Sequence, residues 1–189
     1  DSPSEVRFKA FEQRLRISLN SMAVGRRQSF TIFYGSRDGL GTQSAFWCWA
    51  ISWNKGAAEW SRAQLTIPSH SDVVLIDGSG KPHVEEHIEQ WKATQEGGTS
   101  RAVFSAFADS LRQGQDQRSG GGAQLVGLYR MGTGRSFGVI LDGQRYFAGL
   151  PVAWDVQPSD IEWRNELFER VTPETKRPVP GAQRHLRPE

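Results

Sequence analysis

Disulfide chemistry is the first thing this chain lacks. Its 189 residues include one cysteine, Cys48, which excludes an internal disulfide framework and an all-cysteine zinc site. Histidine is scarce as well, four residues in all, so an imidazole-based site has few candidate members. No apolar run reaches the length of a transmembrane helix, and the first residues lack the charged, apolar, small-residue order of a signal peptide. No membrane partner is expected, and a cytoplasmic location is. Charge of one sign is missing too: 23 Lys and Arg face 21 Asp and Glu, a formal net charge of +2. The pI near 8.9 therefore comes without the concentrated basic face of a nucleic-acid domain, and a nucleic-acid partner is not expected.

What is present suits a globular protein. Hydrophobic residues make up 37% and charged ones 23%, and a chain of this length buries about 70% of the surface its unfolded form exposes. Seven tryptophans supply large aromatic area for a core or for subunit contacts.

The most apolar stretch is Phe30 to Trp53, FTIFYGSRDGLGTQSAFWCWAISW. Alternating Phe30, Ile32 and Tyr34, a Gly-rich turn from Arg37 to Gly41, and an aromatic run from Phe46 to Trp53 predict a strand, a turn and a strand. Ahead of it, Phe8, Phe11, Leu15, Leu19 and Met22 mark an amphipathic helix, while Leu15, Ile17 and Leu19 also fit a strand. A short strand is expected near Gln64 to Ile67. The run Asp72 to Ile76, DVVLI, reads as a buried strand ending at the turn Asp77 to Gly80. Pro82 then opens a helix through Val84, Ile88 and Trp91, and Thr99 or Ser100 caps a second through Phe104, Phe107 and Leu111. A polar loop from Gln113 to Gly122 leads to a three-stranded meander, Gln124 to Tyr129, Ser136 to Leu141 and Arg145 to Leu150, with Asp142-Gly143 as a hairpin turn. Ser159 with Glu162 forms a capping box before a last helix over Ile161 to Phe168. The expected organisation is an extension over 1–29, one domain over 30–171, and a Pro-rich irregular tail over 172–189.

Two antiparallel sheets with helices outside would bury each apolar face of such an α+β chain. FTIFYGSRDG at 30–39 resembles the first strand and turn of proteasome-type N-terminal-nucleophile hydrolases. VVLIDGSG at 73–80 is similar to the strand and glycine turn before their first helix, and AQLVGLY at 123–129 to the strand after their second. The resemblance spans about residues 30–170 and implies a four-layer αββα sandwich. Members of that family use an N-terminal threonine whose own amine acts as base. Aligning the turn at Asp38-Gly39 puts Phe30 at that position, and a phenyl ring cannot attack a carbonyl. Thr31 is one residue off and points to the opposite face of the strand. It, or Ser29, would serve only after removal of the preceding residues. The resemblance therefore implies a member without its standard nucleophile, acting as a structural or binding component of a homo-oligomer or proteasome-like assembly, with a peptide as candidate ligand.

A hydrolase reading competes with it. Gln43 followed by WCWA at 47–50 resembles the nucleophile segment of papain-like cysteine peptidases, in which the cysteine opens a helix that lowers its pKa. Cys48 would then need His83 or His87 as base, oriented by Asp109 or Asp142. The bland alternative is a buried small side chain. His83-Val84-Glu85-Glu86-His87 matches H-x-x-E-H, the pattern of inverted zinc peptidases, with Glu162 or Glu166 available as a third ligand. A solvated acidic helix face explains it more simply, and neither metal nor cofactor is expected. Asp77 to Lys81, DGSGK, lacks phosphate-loop spacing. The basic residues Lys176, Arg177, Arg184, His185 and Arg187 read as a solvated terminus.

Overall fold

The computed structural model describes residues 2–153, 155 and 160–188. It shows a mixed α+β chain with three α-helices and two sheets among the described residues. Two compact units result, Asp1–Ile67 with Leu128–Thr133, and Pro68–Gly127 with Gly134–Glu189.

The first unit is a helix on a three-stranded antiparallel sheet. Helix α1 spans Pro3–Ser21, and its N-cap Ser2 accepts a hydrogen bond from the Glu5 N–H, satisfying one of the donors a helix start leaves open. The helical spacing of Phe8, Phe11 and Leu15 prevails over the strand alternative. Strands β1 (Phe30–Asp38), β2 (Ala45–Asn54) and β3 (Glu59–Leu65) pair in that order. The register runs from Phe30 opposite Trp53 to Asp38 opposite Ala45, so alternation puts Ile32, Tyr34, Trp49 and Ile51 on one face. That face packs against α1 through Phe8, Phe11 and Leu15. The Phe8 ring lies parallel to Trp49 with centroids 4.8 Å apart. Polar contacts fasten the helix at its start: Ser4 Oγ donates to Asp38 at 2.7 Å, and the Arg7 guanidinium meets the same carboxylate at 3.0 Å.

The second unit packs helices α2 (Lys81–Lys92) and α3 (Ser100–Gln113) with a six-stranded sheet. Thr99 caps α3 by accepting from the Ala102 N–H, and Gly114 ends it at φ +60°, a left-handed conformation glycine adopts without strain. The strands are β4 (Leu125–Gly127), β5 (Arg135–Leu141), β6 (Gln144–Phe147), β7 (Leu150–Pro151), β8 (Trp163–Asn165) and β9 (Arg170–Val171). The meander is present: β5 pairs antiparallel with both β4 and β6, and Asp142 and Gly143 turn the hairpin at φ +47° and +74°. The expected all-antiparallel sheet is not, because β5 and β8 pair parallel.

Two expected elements take other forms. Residues Asp72 to Ile76 make no strand: Val73 and Ile76 pack toward Ile88 and Trp91 while Val74 and Leu75 stay exposed. The run lacks a ladder neighbour, so its apolar side chains cover helices instead. The expected last helix is replaced by β8 and β9. Asn165 stops helical winding there, since its Oδ1 accepts from the N–H groups of Leu167 and Glu169 at 3.1 and 2.9 Å and closes a turn. Ser159, the expected cap, lies outside the described residues. The tail is irregular as expected but anchored, with Val171 bridging Pro178 and His185 buried.

Two substitutions test the packing, one in each unit. Phe8→Ala removes the ring stacked on Trp49 and is expected to lower unfolding free energy by about 3–5 kcal/mol, read from the denaturant midpoint. Gly138→Ala would place a Cβ 2.4 Å from the Trp163 ring. It is expected to destabilise through overpacking, by about 1–3 kcal/mol, with altered tryptophan fluorescence.

Candidate functional site

Of the expected nucleophiles of the first unit, Cys48 and Thr31 sit in strands and Ser29 in the link just before β1. Cys48 is in the middle of β2, opposite Gly35 on one side and Leu65 on the other. It opens no helix, so no helix dipole depresses its pKa, and burial instead pushes the thiol above its ordinary value. Unreactive structural cysteines have this environment. The unit contains no histidine, and His83 and His87 both belong to the second unit. Thr31 lies opposite Ser52, their hydroxyl oxygens 3.0 Å apart. Ser29 Oγ accepts from the Lys55 N–H at 3.0 Å. Phe30 meets the Trp60 ring edge-on at 5.7 Å, a packing role.

The second unit holds the richer arrangement. His83 and His87 share helix α2 but have different surroundings. His83 is half-buried, with Asp116 near enough to feel its charge. His87 is only 3% exposed. Its Nδ1 lies 3.1 Å from Gln90 Oε1, an acceptor, so Nδ1 carries a hydrogen toward it and the ring's other nitrogen is Nε2. That Nε2 is closed to bulk solvent and has no hydrogen-bond partner. Among the described residues no group of three or more His, Cys, Asp or Glu could hold a metal ion, and Glu162 and Glu166 are engaged by Arg164 and Arg187 instead.

A cavity of about 670 Å³ opens beside His87, lined by Gln90 and Trp91 of α2, Asp109 and Arg112 of α3, and Arg187 of the tail. Trp91, 1% exposed, donates its indole N–H to Asp109 Oδ2 at 2.9 Å. The other Asp109 oxygen lies 2.6 Å from the Arg187 guanidinium and 3.7 Å from that of Arg112. Arg112 Nε also donates to Asp142 at 2.6 Å. Asp109 and Asp142, expected to orient a catalytic histidine, thus pair with arginines. Sequence reading missed Gln90 and Arg112 altogether and took Arg187 for a solvated end, because only the fold brings the tail to α3.

His185 is also not solvated: it is 2% exposed and lies against Trp91, the rings tilted by 35° with centroids 4.8 Å apart. Its Nδ1 lies 3.0 Å from the Leu167 carbonyl and 3.4 Å from Ser105 Oγ, and its Nε2 lies 3.7 Å from Glu96. Serine, histidine and carboxylate meet here, yet Ser105 is fully buried and the carbonyl is the nearer partner of Nδ1. The cluster holds the tail in place and offers no substrate access.

No family model, no curated protein and no solved structure matches this chain. No described helix is long and apolar enough to cross a membrane.

Two pH-dependent outcomes follow from these environments. Cys48 is expected to react with iodoacetamide more slowly than a free cysteine at pH 7, with a rate still climbing above pH 9. A fast plateau near neutrality would contradict its placement. Asp116 accepts hydrogen bonds from Ser119, Ser79 and the Arg118 N–H, which lower its pKa from 3.8 to about 2. A carboxylate with a depressed folded pKa stabilises the fold above its unfolded pKa and loses that contribution as pH falls through the folded one. The clamp between loops 77–80 and 116–119 is therefore expected to weaken between about pH 4 and pH 2. Asp116→Asn is expected to flatten that part of the pH–stability curve measured by denaturation.

Proposed function

We propose that this chain works by binding rather than by covalent catalysis, as a structural or binding component of an oligomeric assembly. The resemblance to proteasome-type subunits with a lost nucleophile, and the four-layer αββα arrangement it implies, belong to this proposal. The observation that carries it is the position of α1. Exposing Ser29 or Thr31 as an N-terminal nucleophile requires removal of the residues that form this helix. Phe8 of α1, only 2% exposed, is the buried centre of the packing over Trp49 and Ile51. A route to catalysis by removal of the leader would strip the core of the unit that carries the nucleophile.

The same sheet suggests where a partner docks. Its second face presents Thr31, Phe33 and Gly35 of β1, Cys48 and Ala50 of β2 and Ala63 of β3. Phe33 is 43% exposed there, with the charged Arg37 and Glu59 at opposite ends of the same face, an apolar centre with a polar rim that suits contact with another subunit.

Intact-mass measurement after prolonged incubation is expected to show a chain that keeps residues 1–29 and no turnover of peptide substrates, with Cys48→Ala indistinguishable from the parent. A truncated species beginning at Ser29 or Thr31 that cleaves peptides, or activity lost in Cys48→Ala, would establish the hydrolase instead. Light scattering is expected to report an oligomer that Phe33→Asp converts to a smaller species without loss of secondary structure. A monomeric parent would remove the assembly half of the proposal.

A further inference from the structure

We infer that the second unit carries a binding site for a basic, extended peptide segment of the pattern Arg-His-x-Arg, and that the chain's own tail, Arg184 to Arg187, fills it as a tethered ligand. Residues 182–188 form neither helix nor strand, and three basic side chains seat them on the body. Arg184 Nε lies 3.0 Å from Glu169, His185 Nε2 3.7 Å from Glu96, and the Arg187 guanidinium 2.6 Å from Asp109. These carboxylates come from three separate stretches: Glu169 just before β9, Glu96 in the link between α2 and α3, and Asp109 within α3. Leu186 points away, 78% exposed, which makes it the unread position of the pattern.

The way the carboxylates are held distinguishes this groove from ordinary packing. Glu169 and Asp109 each give one oxygen to the body and the other to the tail. Glu169 Oε2 accepts from Asn165 Nδ2 at 2.8 Å, and Asp109 Oδ2 accepts from the Trp91 indole N–H. Glu169 Oε1 and Asp109 Oδ1 are thereby aimed at the segment, with Arg112 more distant from the latter at 3.7 Å. Charge-assisted bonds from arginine to such pre-oriented oxygens are the strong kind. The main chain of the segment is read as well. Glu169 Oε1 accepts the His185 N–H at 3.0 Å, and Arg101 donates to the Gln183 carbonyl at 2.9 Å. A neutral or acidic segment would leave the buried Glu169 uncompensated, which restricts the ligand class to basic peptides. At the far end Arg187 and Pro188 line the cavity beside His87, so that end of the segment borders open space. The site lies wholly in the second unit and uses neither the docking face nor the loss of a nucleophile, so either reading can fail alone.

Fluorescence anisotropy of a labelled peptide of residues 181–189, GAQRHLRPE, titrated with the full chain tests the inference. The parent chain is expected to bind it weakly, because the tethered tail leaves only a small fraction of grooves empty. Arg184→Glu with Arg187→Glu in the full chain repels the tail and empties the groove, and is expected to raise affinity for the peptide at least about tenfold. The same two reversals placed in the peptide are expected to abolish its binding to the emptied chain, whereas Leu186→Ala in the peptide is expected to change nothing. Glu169→Gln added to the emptied chain is expected to weaken binding about tenfold. No binding to the emptied chain, equal affinity of the parent and emptied chains, or indifference to charge reversal in the peptide or to Glu169→Gln would overturn the inference. An emptied chain that unfolds, read by far-UV circular dichroism, would make the tail part of the core and overturn it equally.

Discussion

The hydrogen bond from Trp91 to Asp109 is the constraint on which the second unit depends. An indole at 1% exposure cannot leave its N–H unpaired without cost, and the acceptor it finds is a carboxylate on the neighbouring helix. A carboxylate held there needs a counter-charge, which Arg187 brings from the far end of the chain. One aromatic residue therefore fixes the approach of α2 to α3 and draws the tail onto both. Ala102 and Ala106, packed with Ile88 and Trp91, let the helices come close enough for the bond to form. The cavity is the space left where these partners diverge.

In the first unit the corresponding constraint is aromatic packing. A three-stranded sheet needs a cover on at least one face to be stable in water, and α1 supplies it through Phe8 and its neighbours. The polar cluster at the start of the helix sets the register of that cover. Asp38 is partly desolvated, which opposes ionisation, but hydrogen bonds from Ser4 and Arg7 outweigh this and hold its carboxyl below the ordinary value. The ion pair thus serves helix placement more than net stability, as exposed pairs are worth little.

Elements set by local pattern were legible in the sequence. The stripe of Phe8, Phe11 and Leu15, the alternation of Ile32 and Tyr34, and Asp142-Gly143 each carry their geometry within a few residues. Elements set by distant partners were not. DVVLI has strand composition, but a strand needs a neighbour, and its side chains found helices instead. Ile161 to Phe168 has helical spacing, yet Asn165 closes a turn and β5 offers Trp163 a ladder. The site shows the same division. HVEEH drew attention to His87, but for metal chemistry; what distinguishes His87 is Gln90 on one nitrogen and nothing on the other. Asp109, Arg112 and Arg187 meet only through tertiary structure.

The placement of reactive groups also bears on catalysis. Cys48 lies between Gly35 and Leu65, with no histidine in its unit and a thiol pushed up by burial. A strand interior gives a nucleophile neither a base nor a dipole, and alternation aims each neighbour at the opposite face. Helices, by contrast, bring side chains from successive turns to one surface, and α2 and α3 do so with imidazole, amide, carboxylate and guanidinium around a cavity. Polar groups of the first unit, Ser4, Arg7, Asp38 and Glu12, are committed to fastening α1. Buried side-chain groups without a hydrogen-bond partner occur in both units, Trp47 and Trp53 in the first and His87 in the second, and of these His87 lines a cavity that it shares with amide, carboxylate and guanidinium groups.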